Sequence, residues 1–242
     1  MINNKVSSNS SEKFKSDANY ERAFLDKLDK IKLSNLNDSD QLNYRLIKTS
    51  MEISFEGRNF PRYYMALNQR GGVQDYYSYG DRLNFSNKTD YEDWFERIKG
   101  FNENVKNSLK NNKEGLEMGY TQPKLVTRAV VSQIESLLAS SMEDHPYYKI
   151  FLSANEIIGD EEASEIQSRV KDFIKNELNP SYRKLMTFLK NQAALDISAQ
   201  FASAFASSLL LRQGCRGLAT VRELVLMVRL SACKASPRKA FL

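Results

Sequence analysis

The chain has 242 residues and a mass of 27.8 kDa, with 41% apolar and 27% charged residues. That is long enough to bury a real core, while two Cys, ten Gly and five Pro exclude a disulfide scaffold and a collagen-like repeat. The formal charge of +5 would on its own suggest a nucleic-acid partner, but its distribution argues against one. Residues 193–242 hold seven bases and two acids and so carry the whole excess. Of the 35 bases and 30 acids, 28 of each remain in residues 1–192, which are neutral.

In chain order, residues 1–19 are polar, rich in Ser and Asn, and expected to be disordered. They contain no apolar export core, which by default places the chain in the cytoplasm. Tyr20, Phe24, Leu25, Leu28 and Ile31 form a first apolar stripe at helical spacing. Asn37-Asp38-Ser39-Asp40 is a capping sequence, followed by a second stripe, Leu42, Leu46, Ile47 and Ile53, that Gly57 ends. Between Phe60 and Phe85 the helical period lapses. This stretch holds seven aromatic residues and the Gly71-Gly72 pair, and long irregular connections often carry function.

Thr89-x-x-Glu92 reads as a capping box opening the clearest helix, with Tyr91, Trp94, Phe95, Ile98, Phe101, Val105 and Leu109 on one face. Gly115 and Gly119 close it. Thr121 caps the next helix, with Pro123 in its first turn and Val126, Ala129, Val130, Ile134, Leu137 and Leu138 facing inward. Asp160-Glu161-Glu162 suits the positive end of a further helix, and Pro180 should kink or break it. The expected fold is all-α, an irregular bundle with one long aromatic loop over residues 60–88. Three segments follow: 1–19 disordered, 20–192 helical, and 193–242 a basic tail of foreign composition. The last boundary rests on usage. Residues 1–192 contain 20 Asn and all 12 Tyr, whereas residues 193–242 contain no Asn, ten of the 17 Ala and both Cys. A shifted reading frame, a separate domain and an interaction appendage would each explain it.

Candidate chemistry is sparse. One His excludes a self-contained site built on two histidines, including the H-E-x-x-H zinc helix. His145, beside Glu143 and Asp144, reads as a loop residue, and Glu161, Glu162 and Glu165 read as first-turn acids. No phosphate loop, dinucleotide fingerprint or nucleophile elbow occurs. No catalytic residue, metal ligand or transmembrane span is assigned. The most apolar stretch, 193–211, carries Asp196, Gln200 and four Ser. The loop is the one candidate binding element. Gln69, Gly71, Gly72, Tyr76 and Tyr77 are its substrate-binding candidates, because aromatic faces give contact area, amides hydrogen-bond a peptide backbone, and glycines allow close approach.

Five elements in order then carry a resemblance: Phe24 to Tyr44 with its Asp-Lys-rich start and Asn37-Asp38-Ser39-Asp40; Asn68-Gln69-Arg70-Gly71-Gly72; Tyr91, Trp94 and Arg97; Gly115, Gly119 and Pro123; and Pro180, Tyr182, Leu185, Phe188 and Leu189. Over about residues 20–190 the chain resembles the bacterial domain of unknown function family 885. The resemblance implies a mainly helical protein similar to zinc metallopeptidases, often exported, whose metal helix lies beyond the matching region. On that reading zinc belongs to full-length relatives and no cofactor to this chain. The chain then supplies helical scaffold and a groove for a peptide-like ligand, and is inactive alone. The competing reading is a binding module whose basic tail docks a partner or a membrane surface.

Overall fold

The computed structural model describes residues 4–192. The chain forms two units, Met1–Leu189 and Lys190–Leu242, and the expected tail lies outside the described residues. Among the described residues the backbone is helical with no strand, as the 3.6-residue period predicts. The elements are α1 (Ser11–Leu28), α2 (Asp38–Gly57), α3 (Lys88–Glu117), α4 (Lys124–Ala139), the single turns α5 (Pro146–Lys149) and α6 (Asn155–Ile158), and α7 (Asp160–Phe173).

The core lies on α3. Tyr91, Trp94, Ile98, Phe101 and Val105 are buried against Val130 and Ile134 of α4, Tyr147 and Phe151, Ile166 and Val170 of α7, and Leu178, Tyr182 and Leu185 beyond it. Each fully buried side chain of this size contributes about 1.5–3 kcal/mol. A bidentate pair ties α7 to α3, Arg169 donating to both Glu92 carboxylate oxygens at 2.7 and 3.1 Å.

Helix ends follow side-chain chemistry, with two shifts from expectation. Asn37 caps α2 by accepting from the Asp40 N–H at 2.9 Å while its amide donates back to Asp40 Oδ2. The start of α3 is set by Asn87, not Thr89. Asn87 accepts from the Asp90 N–H, and Asp90 in turn accepts from Ser86 and Asn87, so an Asx-capped turn wins two residues ahead of Thr89. Likewise α4 starts after Pro123, and Thr121 does not cap it. The end of α3 has a full Schellman arrangement. Tyr120 N–H bonds to Gly115 O at 2.7 Å and Gly119 N–H to Leu116 O at 3.2 Å, with Gly119 at φ +85°.

Three further expectations are corrected. Residues 11–19, expected to be disordered, form the first half of α1, which Ser10 caps through the Lys13 N–H. Asparagines on α3 hold the segment ahead of it. Second, the α2 stripe is not core: Leu42, Leu46 and Ile53 are 59%, 60% and 66% exposed. Helix α2 packs on α1, where Glu21 accepts from two Arg58 nitrogens (2.9 and 2.5 Å) and from the Ser54 hydroxyl (2.8 Å). These donors hold the Glu21 carboxyl below its ordinary pKa. Third, Pro180 neither breaks nor ends its helix. The turn before it, Ile174–Leu178, widens to π geometry, and helical backbone continues over residues 179–189. A wider turn accommodates the missing N–H without ending the helix.

Candidate functional site

The aromatic segment is more ordered than a loop. It contains two 3₁₀ stretches, Arg62–Met65 and Val73–Arg82, and buries Leu67, Val73 and Gln74. Between the stretches, Asn68 to Gly72 forms a projecting turn. Asn68 Oδ1 accepts from the Arg70 N–H at 2.9 Å, an Asx turn. Gly71 and Gly72 sit at φ +154° and +158°, where a side chain would be strained. Gln74 fastens the turn from beneath: its buried amide donates to Asn68 O at 2.7 Å and to Gln133 Oε1 on α4 at 3.0 Å. Gln133 then donates to Gln69 O at 2.9 Å. The Gln69 backbone is therefore fixed while its side chain is exposed.

Tyr76 and Tyr77 lie behind this turn, both half-buried. Tyr76 packs on Phe101 at 4.8 Å between centroids, and Tyr77 meets Tyr147 edge-on at 5.9 Å. Burial raises both phenol pKa values; for Tyr76 a hydrogen bond with Asn104 opposes the shift, and for Tyr77 nearby Asp75 adds to it. The structure thus brings Gln69, Gly71 and Gly72 together at one exposed turn. Tyr76 and Tyr77 follow it in the second 3₁₀ stretch and pack toward the core.

Two polar contacts involve buried side chains of the core. Tyr182 donates its hydroxyl proton to Val73 O at 2.5 Å, so at 2.9 Å it must accept from Tyr147. Burial raises both tyrosine pKa values, so both stay protonated. His145, 1% exposed, points Nε2 at Asn179 Oδ1 3.2 Å away, which fixes the tautomer with hydrogen on Nε2. Its Nδ1 is buried without a partner. Gln74, Gln133, Tyr182 and Asn179 carry no sequence signal for these roles, since each works through a contact between distant segments.

The histidine makes a pH prediction. Burial lowers the His145 pKa below 6.5, against a smaller opposing effect of Asn179. The folded state therefore binds this proton less readily than the unfolded chain. Its contribution to stability is complete above pH 6.5 and falls as the pH drops from there toward the folded-state value. Thermal unfolding of wild type should lose midpoint across that window, and His145→Gln should flatten the loss. An unchanged slope in the variant would show that His145 does not set it.

The described residues do not fit a zinc site. No group of three His, Cys, Asp or Glu is placed to hold a metal, and the only His is committed to Asn179. The first-turn acids are spread among cations: Glu162 reaches Lys88 at 3.2 Å and Glu165 reaches Arg169 at 3.8 Å. Metal analysis after gel filtration should find no stoichiometric zinc; one tightly held zinc per chain would refute this. No described helix is long and apolar enough to cross a membrane.

The chain matches the family described as "Bacterial protein of unknown function (DUF885)" over residues 2–207, and it belongs to that family. The match begins ahead of α1 and runs fifteen residues past the composition break at 192, beyond the span of about 20–190 that the motifs cover. Searches of curated proteins and of solved structures returned no match.

Proposed function

We propose that this member of the family supplies the helical scaffold and part of the ligand-binding face of a metallopeptidase-like protein, and that the Asn68–Gly72 turn contacts a peptide-like ligand. The observation that carries this reading is the bracing of an exposed turn. Gln74 and Gln133 both hold backbone carbonyls in place, while Gln69 is exposed and the two glycines are half-buried. A turn that only connected two elements would not need a buried glutamine under it. Rigid placement of a few polar groups is what a binding site requires.

On this reading the chain does not hydrolyse a bond by itself, since among the described residues no group is placed to hold a metal. It binds and orients. Titrating the chain with short mixed-sequence peptides while following amide resonances tests this. Shifts should centre on Gln69, Gly71, Gly72 and Tyr76. Shifts confined to α2, or none, would count against the turn.

A further inference from the structure

Helix α3 buries four asparagines, Asn102, Asn104, Asn111 and Asn112, each at 3% exposure or less. Asn is a poor helix former with a polar side chain that costs free energy to bury, so the fold alone does not call for them. Two of them grip an extended stretch of the chain's own N-terminus. Asn104 Oδ1 accepts from the Asn9 N–H at 3.1 Å and its amide donates to Ser7 O at 3.0 Å. The carbonyl of one residue and the N–H of the residue two further on point the same way in extended backbone. Asn104 therefore reads the chain as a neighbouring strand would.

Asn111, two turns along α3, repeats half of this pairing. Its amide donates to Asn9 O at 2.8 Å, but its buried Oδ1 has no partner. The repeat would complete with the N–H of residue 11. That N–H is diverted because Ser11 opens α1. The remaining contacts favour one path for the strap: Asn9 Nδ2 reaches Asn104 O at 3.1 Å and Ser108 Oγ at 2.9 Å. Val6 sits over Gly100, its Cβ 3.1 Å from where a glycine Cβ would stand.

We propose that Gly100, Asn104, Ser108 and Asn111 form a backbone-reading track for an extended peptide, and that residues 6–10 occupy it in cis as a pseudo-ligand. The unfilled Asn111 acceptor marks where a peptide that stayed extended would gain a bond the strap cannot make. The track stands on the α3 contacts and does not depend on the Asn68–Gly72 turn.

The probe is a labelled synthetic peptide of residues 4–11 added to the whole chain. A cis segment competes at an effective concentration on the order of millimolar, so binding to wild type should be weak. Val6→Gly with Asn9→Ala loosens the strap and should tighten binding at least about tenfold; adding Asn104→Ala should remove it. Equal affinity with and without the strap changes, or binding that survives Asn104→Ala, overturns the proposal. Hydrogen exchange on the unaltered chain decides it even if a variant fails to fold. The Asn9 amide should exchange through local opening, on the order of tenfold or more faster than the α3 core amides. Exchange of Asn9 only with global unfolding would make the strap a fixed part of the fold and overturn the proposal.

Discussion

Replacing Tyr182 by Phe should destabilise the helical unit by about 1–3 kcal/mol, although it removes a single oxygen. Both partners of that oxygen are buried. Val73 O would lose its 2.5 Å donor and the Tyr147 hydroxyl its 2.9 Å acceptor, with no route to water. Tyr147→Phe should cost less, because Tyr182 would still donate to Val73 O and would lose only an incoming bond. Urea unfolding followed by circular dichroism checks the order. If Tyr147→Phe proves the more damaging, the donor direction assigned to the pair is wrong. The 3₁₀ stretch carrying Tyr76 and Tyr77 begins at Val73, so Tyr182→Phe should also loosen that stretch.

Gly80→Ala should be damaging for the opposite reason, too much volume. A Cβ at Gly80 would stand 2.2 Å from Ile150 Cδ1 and 2.8 Å from Trp94 Cζ2. The Ile terminus can swing away, but the Trp94 ring is fully buried and boxed in by Phe101 at 5.8 Å. Overpacking of this kind costs typically about 1–3 kcal/mol. For a unit of this size that lowers the melting midpoint by roughly 2–4 °C per kcal/mol. By contrast Gly57→Ala, where a Cβ meets nothing within 4 Å, should leave the midpoint close to wild type. A Gly80→Ala midpoint matching that of Gly57→Ala would show that the helices slide apart without cost.

What was legible in the sequence follows from how local each cause is. The α3 core face, from Tyr91 through Val105, could be read because burial on one helix face imposes a 3.6-residue period that no other element imitates. The start of α2 at Asn37 and the end of α3 at Gly119 were also readable, because a cap acts within four residues. The same apolar period misled for α2. Periodicity shows that a face could be buried and not that a partner covers it, and among the described residues Leu42, Leu46 and Ile53 remain exposed. The start of α3 was misplaced because two capping sequences overlap and Ser86 adds a third contact to Asp90. At the candidate site, Gln69, Gly71 and Gly72 were visible as turn chemistry. Gln133 was not, since it lies 64 residues from the carbonyl it holds.

The family motifs acquire physical meanings in the same way. Gly115 is required where Tyr64 lies against α3, since a Cβ there would stand 2.8 Å from Tyr64 Cβ and 3.1 Å from its carbonyl oxygen. Tyr91 and Trp94 are core. Tyr182, Leu185 and Leu189 close the core from the helix that passes Pro180. Most of what marks the family in this chain therefore maintains the fold. The Asn68–Gly72 element is the exception, because Asn68, Gln69 and Arg70 are exposed above a braced base.

That exception is the measurement to make. In a family member that has measurable activity, replacing the residue equivalent to Gln69 by Ala should leave the thermal midpoint unchanged, because the Gln69 side chain is exposed and only its carbonyl is used by Gln133. If the turn binds ligand as proposed, the same variant should lose most of its activity. Full activity with an unchanged midpoint would contradict the assignment of this turn to ligand binding.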